Sequence, residues 1–473
     1  MKNTFFGKLL SSGLQAIAVQ VLGGVFFLVI AAYLSKEEMG FINWANAMSV
    51  VLTMILSFGM DQVVVRRIAA SESSDWASAA YLFHSFLGSC VTFVILFAFK
   101  ALSNDHNYKI EILPWLFAAQ ALLFSAGPLK QLLNAKQKFA PYGIIAIISN
   151  IIKLLAVYLF ISANSLSIQA VLGILIGCAA FEFACVLFYV IAKGYFTFYF
   201  KKVAYFKLLK EAFPQYIAIL FDSCLAYADR ILLLLLSTAI ASGDYGFAYR
   251  AYEIAKLPVV IISPIILARF AKIFIGNSKL SDEGKKQVQG LFTVEMFFAC
   301  GIPLLLNMLW SPLLDHFYHG KYGSANSSEF MILSLCLPFQ FYINILWTLG
   351  FAAKRYKETT RIIATTAVIN VVLNLIFIPL YGGNGAAVAF LLTSVIQLLM
   401  YYHNVKKHIM EFSSKAFVVF FAISIAAYLV AVAVTKVVLL QLLVAIVIYL
   451  AVSLLSKQLQ RKHLDILFSF LKK

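Results

Sequence analysis

Fourteen apolar stretches of about 20 residues, separated by short connections, constrain this chain more than any other feature. A helix of that length crosses a bilayer, and a segment in lipid must satisfy its backbone hydrogen bonds internally. The pattern therefore predicts an all-α polytopic membrane protein. With a window of about 19 residues, the spans fall near 14–34, 41–60, 79–99, 112–133, 141–162, 167–192, 214–238, 247–271, 288–309, 328–351, 360–380, 384–404, 414–435 and 437–456. Of 473 residues, 62% are apolar and 12% charged, against about 45–50% and 25% in soluble domains. That excludes a cytosolic enzyme, a disordered chain and a nucleic-acid module.

The net charge of +17 then reads as topology. With the N-terminus in the cytoplasm, 29 of the 38 lysines and arginines fall on cytoplasmic segments, six on outer ones and three within spans. That alternation supports both the span count and an orientation with both termini cytoplasmic. Lys2 and Lys8 ahead of the first run resemble a signal, but no A-x-A cleavage site follows, so the run reads as an uncleaved span. The six cysteines (Cys90, Cys178, Cys185, Cys224, Cys300, Cys336) all lie in apolar stretches and read as small core residues.

The chain repeats itself. Span 1 ends in Leu34-Ser35 and turns through Glu38-Met39-Gly40-Phe41; span 7 ends in Leu236-Ser237 and turns through Asp244-Tyr245-Gly246-Phe247. Each pair of spans then closes on cations, Arg66/Arg67 and Arg269/Lys272. A parallel two-lobe transporter follows: an N-terminal lobe at 1–192 (helices 1–6), a basic cytoplasmic linker at 193–213, a C-terminal lobe at 214–404 (helices 7–12), and a last helix pair with a basic tail at 405–473. The linker, with Lys201, Lys202, Tyr205, Phe206, Lys207 and Lys210, suits either a plain connection or an amphipathic helix on the inner leaflet.

These residues resemble the polysaccharide-transport flippases, the O-antigen and exopolysaccharide repeat-unit flippases of the MOP (MATE-like) superfamily. The resemblance rests on Ser12, Gln15, Tyr33-Leu34-Ser35 and Gly40, on Gly59 and Arg67, and on Ala228-Asp229-Arg230-Ile231-Leu232 followed by Gly243-x-Tyr245-Gly246. Its most specific stretch runs from Asn370-x-x-x-Asn374 through Pro379-x-Tyr381-Gly382 to Gly385-Ala386-Ala387. It covers spans 1–12. It implies translocation of a polyprenyl-diphosphate-linked oligosaccharide across the bacterial cytoplasmic membrane by alternating access, without ATP, a cofactor or enzymatic chemistry, and with a polysaccharide polymerase as a possible partner. Span 1 departs from some related lipid-diphosphate flippases in holding Gln15 and Gln20 where they place arginines.

A charge at mid-bilayer costs about 2.5–3.5 kcal/mol on the insertion scale, so intramembrane ionisable residues are functional candidates. This chain has eight: Lys153, Glu182, Asp222, Asp229, Arg230, Glu253, Lys256 and Glu295. Asp222 and Asp229, seven residues apart, fall on one wall of helix 7. Pairing of Lys153 with Glu182 and of Arg230 with Glu253 would give these groups a purely architectural role. Five acids against three bases leave acids over, able to carry a proton. Arg66, Arg67 and Arg269 at the cytoplasmic mouth, with Lys153, Arg230, Arg250 and Lys256 in a cavity, would attract the diphosphate. Asp222, Asp229, Glu253, Glu295 and Glu182 are candidates for a coupling proton or sodium ion. Pro258, Pro264, Pro303 and Pro338 are candidate breaks for lobe rocking. Amides such as Asn150, Gln340, Asn370, Asn374 and Gln397 suit either sugars or interhelical hydrogen bonds.

A MATE-type small-molecule exporter and, more remotely, a polysaccharide polymerase are the competing classes. Gly284-Lys285-Lys286 lacks the hydroxyl and leading glycine of a phosphate-binding loop. Asp315-His316-x-x-His319 has metal-ligand residue types, but reads as a solvated loop.

Overall fold

The computed structural model describes residues 5–70, 76–103, 108–196, 199–200, 202–274 and 281–460. The counted cations Lys2, Lys201, Lys279, Arg461, Lys462, Lys472 and Lys473 lie outside the described residues, as do the side chains of Lys8, Ser12 and Lys272. Every element among the described residues is helical. The chain forms two compact units, Met1–Gly246 and Phe247–Lys473.

The first unit holds α1 (Phe5–Tyr33), α2 (Lys36–Ser57), α3 (Met60–Ala70), α4 (Trp76–Leu102), α5 (Tyr108–Ala135), α6 (Phe139–Ser162), α7 (Ile168–Ala192), α8 (Lys202–Leu236) and the first turns of α9 (Ala239–Ala255). Ser35 starts α2 with a capping box: its hydroxyl accepts from the Glu38 N–H at 3.1 Å while the Glu38 carboxylate accepts from the Ser35 N–H at 2.8 Å. The helix stops at Phe58 and Gly59, both left-handed (φ 48° and 72°). A Cβ on Gly59 would lie 2.7 Å from the Tyr216 backbone nitrogen, so this break is also where α2 and α8 meet. Beyond it, Met60 and Val64 join Tyr81, Leu129, Leu133, Val186, Val190, Leu208 and Ala212 in an apolar core.

That core explains a difference from the sequence reading. The basic stretch before span 7 is neither a loop nor a separate surface helix; from Lys202 onward it is the first half of α8, which runs through Pro214 to Leu236. Leu208 and Ala212 are fully buried in a core shared with residues of α3, α4, α5 and α7, and that burial outweighs the helix-breaking tendency of Pro214.

The second unit holds the rest of α9, then α10 (Leu257–Ile273), α11 (Asp282–Tyr318), α12 (Ser327–Ala352), α13 (Tyr356–His408), α14 (Lys415–Val434) and α15 (Val438–Leu455). Of the expected proline breaks, one coincides with a helix boundary: α9 ends just before Lys256-Leu257-Pro258. Pro264, Pro303 and Pro338 lie inside continuous helices, as membrane helices tolerate.

At 53 residues α13 would be about 80 Å long if straight, far more than a bilayer. It folds back on itself at Gly382, whose φ of 55° and ψ of −128° suit glycine. The Asn370 amide donates to Thr393 Oγ1 at 3.2 Å and the Gln397 amide to Thr366 Oγ1 at 3.3 Å, two antiparallel rungs symmetric about that turn. A Cβ on Gly385 would lie 2.0 Å from the Phe377 carbonyl oxygen. The last two helices pack on α11, where Ser424 Oγ donates to the Cys300 carbonyl at 2.7 Å and the Tyr449 hydroxyl to the Phe297 carbonyl at 2.6 Å.

Ten helices among the described residues are long and apolar enough to cross a membrane, which makes this a multi-pass membrane protein. The folded-back α13 counts among the ten as a single helix. The break at Lys256 leaves α9 and α10 at 17 residues each, and Asp222, Asp229 and Arg230 interrupt the apolar run of α8. Cys178, Cys300 and Cys336 are buried as expected, whereas Cys90 and Cys224 are exposed on their helices.

Candidate functional site

The two turns that mark the sequence repeat touch each other within the first unit. A Cβ on Gly40 would lie 2.0 Å from the Ala239 carbonyl oxygen, and one on Gly243 would lie 2.1 Å from the Lys36 carbonyl oxygen. The starts of α2 and α9 thus cross backbone to backbone, each glycine Hα directed at the other helix's carbonyl in the manner of a Cα–H···O contact. Ser242 Oγ donates to the Gly40 carbonyl at 3.3 Å, and Lys36 Nζ pairs with the Asp244 carboxylate at 2.7 Å. Gly246 lies against the Asn43 side chain.

This crossing positions the most buried charged cluster of the unit. Asp229, 2% exposed, accepts from the Tyr245 hydroxyl at 2.5 Å and from the Arg230 backbone N–H at 2.8 Å. Arg230 donates through its guanidinium to the Ala226 carbonyl at 2.7 Å and stacks over Tyr227 with 4.4 Å to the ring centroid. The arginine is thereby oriented by one ring and one carbonyl, with Asp229 Oδ1 3.9 Å from its Nε. Asp222, two turns earlier on α8, is exposed.

Elsewhere in the unit, Lys153 Nζ donates to Asn150 Oδ1 at 3.3 Å and lies 5.4 Å from the Phe26 ring centroid. Glu182 is buried and accepts from the Tyr142 hydroxyl at 3.1 Å. Arg66 and Arg67 converge on Glu211 of α8, with Arg67 Nε donating to Glu211 Oε2 at 2.9 Å and both terminal nitrogens ion-paired to the carboxylate. Sequence reasoning passed over Glu211 as one charge in a basic stretch. The signal was there, since it is an acid in a segment of lysines, but its partners lie about 145 residues away.

Burial raises the Glu211 pKa, yet hydrogen bonds from Arg67 and then Arg66 outweigh it and hold the carboxyl below the usual range. A depressed carboxylate pKa stabilises the fold above the unfolded value, about 4.3, and this contribution fades as pH falls through the folded pKa. Glu211→Gln is therefore expected to raise amide hydrogen exchange in α3 several-fold at neutral pH. The exchange difference from wild type should close under acid, where both carboxamide and protonated acid are neutral.

In the second unit Glu253 pairs with Arg250, one turn away on α9, at 3.0 Å. Lys256, at the break before α10, donates to Gln340 Oε1 of α12 at 3.1 Å, and the Gln340 amide passes the chain on to Ser394 Oγ at 2.9 Å. Arg269 lies on α10 and is partly buried. Glu295 lies on α11, and its Oε2 is sealed from solvent with no hydrogen-bond partner among the described residues. Asn370 and Asn374 are fully buried; the Asn374 amide donates to Asn370 Oδ1, and the Asn370 amide donates across to Thr393 Oγ1, so Asn370 joins the two arms of α13. Near the end of α11, Asp315 accepts from the Ser324 N–H at 2.9 Å and from its hydroxyl, which fixes the turn that follows.

Buried, oriented charges inside the helices of a membrane protein mark a functional site rather than a bare anchor. The family profile described as "Polysaccharide biosynthesis protein" matches residues 7–270. The chain belongs to that family, and its fold is that of the MOP superfamily. It is similar in structure to the lipid II flippase MurJ in an inward closed conformation, at 20% identity over 93% of this chain and 98% of that one, with a TM-score of 0.77. It is also similar to an inward-facing multidrug resistance MATE family transporter (12% identity, 85% and 99% covered, TM-score 0.66). The Vibrio cholerae MATE transporter VcmN follows at 14% identity, 85% and 97% covered, with a TM-score of 0.61. No curated protein matches the chain by sequence.

Proposed function

We propose that this protein is a flippase that carries a polyprenyl-diphosphate-linked oligosaccharide repeat unit across the bacterial cytoplasmic membrane by alternating access. The observation that carries this reading is the Asp229–Tyr245–Arg230 cluster: a guanidinium held in place by its own helix and 12% exposed, in a member of the polysaccharide biosynthesis family. A fixed guanidinium binds phosphate oxygens in a fork without first losing rotamer freedom. Lys153 and Arg250 add positive charge within their helices and Lys256 at the break between α9 and α10, and Arg269, Arg66 and Arg67 add it toward the inner ends. The polyprenyl chain stays in lipid throughout, so the protein needs to shelter the headgroup alone.

In this reading the chain crosses the membrane fourteen times with both termini cytoplasmic, supported by the 29-to-6 distribution of cations. Helices 1–6 and 7–12 act as the two lobes, and α14–α15 are an added pair. Transport is driven by a proton or sodium gradient rather than by chemistry on the substrate. Glu295 suits the ion, because its free carboxyl oxygen has no competing donor among the described residues; Asp222, Asp229, Glu253 and Glu182 remain candidates. The same unpartnered acid favours the second reading, a MATE-type exporter of small cations. A polymerase that uses the delivered unit is the expected partner.

Depletion of the protein followed by lipid extraction separates these readings. The flippase reading expects complete, unpolymerised lipid-linked repeat units to accumulate on the cytoplasmic leaflet. Unchanged lipid-linked sugars would favour the exporter, and accumulation on the outer leaflet would mean that the protein acts after translocation.

A further inference from the structure

The end of the second unit where α11 begins and α13 finishes carries an open cleft of about 480 Å³, lined by Lys285, Lys286, Gln289, Tyr402, Lys406 and the strap from Met410 to Ser413. The strap is built rather than draped. The Gln289 side chain donates to the Ser413 carbonyl at 2.8 Å and accepts from the Ser413 N–H at 3.2 Å. The Tyr402 hydroxyl donates to the Phe412 carbonyl at 3.1 Å, and the Tyr342 and Ser414 hydroxyls are 2.7 Å apart. Met410 and Phe412 are buried beneath it.

Three ammonium groups share this cleft with one carboxylate, Glu411. Lys285 is paired with Asp282 at 2.8 Å, and Lys286 adds a weaker attraction to the same carboxylate. Lys285, Lys286 and Lys406 together outnumber the nearby carboxylates Glu411 and Asp282, and an anion placed in the cleft relieves the remaining repulsion while accepting several N–H donors. The strap leads directly into Lys415, the first residue of the apolar α14, so the cleft lies at headgroup depth, with Tyr402 at the interface. That placement favours a ligand already in the membrane.

We propose that this cleft is a binding site for the phosphate of an anionic phospholipid headgroup, held by Lys285, Lys286 and Lys406. The leaflet concerned, the cytoplasmic one, rests on the orientation proposed above; the binding itself does not. Bound there, the lipid ties the α13–α14 connection to α11 and anchors the last helix pair to the rest of the second unit.

The test uses the full-length protein in phosphatidylcholine nanodiscs with and without phosphatidylglycerol, which expose both faces and require no transport. Lysine acylation read by mass spectrometry should show phosphatidylglycerol protecting Lys285, Lys286 and Lys406, with Lys354 and Lys357 as unprotected references. Retention of phosphatidylglycerol by the K285Q/K286Q/K406Q variant should fall at least about tenfold, while K354Q/K357Q retains it as wild type does. Equal acylation in the two lipid compositions overturns the proposal even if the triple variant misfolds. Protection by inorganic phosphate alone, in phosphatidylcholine, overturns the lipid source in favour of a soluble phosphate. A failure of orientation or of transport leaves all of these readings unchanged.

Discussion

Gly40→Ala and Gly243→Ala are each expected to lower the thermal unfolding midpoint of the detergent-solubilised protein by about 6 °C or more, and to reduce its accumulation in the membrane. The added methyl carbon would lie 2.0 Å from the Ala239 carbonyl oxygen in the first variant and 2.1 Å from the Lys36 carbonyl oxygen in the second. Overpacking costs about 1–3 kcal/mol when side chains can move aside. Here the obstacle is backbone at the first turns of two helices, so α2 and α9 must separate, and the cost reaches or exceeds about 3 kcal/mol. The separation would also pull on the Lys36–Asp244 pair and the Ser242 hydrogen bond. Gly127→Ala and Gly173→Ala are the matched controls, since nothing lies within 4 Å of the added carbon at either position. There the helix propensity of alanine should leave the midpoint unchanged or slightly higher. A Gly243→Ala midpoint equal to wild type would mean that the two turns do not touch.

The second large effect is on transport. Arg230→Gln keeps a polar side chain of nearly the same reach but loses the charge, and a hydrogen bond to a charged group is worth about 1.5–3 kcal/mol. The flipping rate at subsaturating lipid-linked substrate is therefore expected to fall about 10- to 100-fold, with normal accumulation and an unchanged elution profile. Arg230→Lys should recover part of the loss, because the charge remains and the planar fork does not. In the proposed mechanism Asp229 would position the site, since it receives the Tyr245 hydroxyl and the Arg230 backbone N–H. Tyr245→Phe removes one of these bonds without adding volume, and should raise the half-saturating substrate concentration more than it lowers the maximal rate. An Arg230→Gln protein that flips like wild type would move the diphosphate site elsewhere.

The fold was legible where a local period carries it. Hydropathy identified a chain of membrane-crossing helices, ten of which among the described residues are long and apolar enough to span, whereas the capping box of Ser35 and Glu38 that starts α2 went unread, because those residues read as a turn. The same reading gave Gly382 and Gly385 as part of a signature but not their purpose, which is to let α13 turn back and bring Thr366 opposite Gln397. It left the basic stretch before Pro214 as either a plain connection or an amphipathic helix on the inner leaflet, because its lysines and aromatics suit both. The burial of Leu208 and Ala212 decides otherwise, and burial against distant helices leaves no mark in a window of 19 residues.

The site divides along the same line. The identity of the mid-helix charges was legible, because an ionisable residue in an apolar run stands out by itself. Their partners were not, except where one helical turn supplies them, as between Arg250 and Glu253. Glu211 answers Arg66 and Arg67 from another helix, and the Gly40–Gly243 crossing joins positions about 200 residues apart. The repeat revealed that both turns exist; only the packing brings them together.

Reconstitution of the purified protein into liposomes holding a fluorescent polyprenyl-diphosphate oligosaccharide tests the central claim most directly. A membrane-impermeant quencher added outside reads how fast sheltered lipid reaches the outer leaflet. The account predicts that fluorescence in the protected half decays in the presence of wild-type protein, more slowly with Arg230→Gln, and not at all in protein-free vesicles. Decay in wild-type vesicles no faster than in protein-free ones, with the protein folded and an ion gradient imposed, would contradict it.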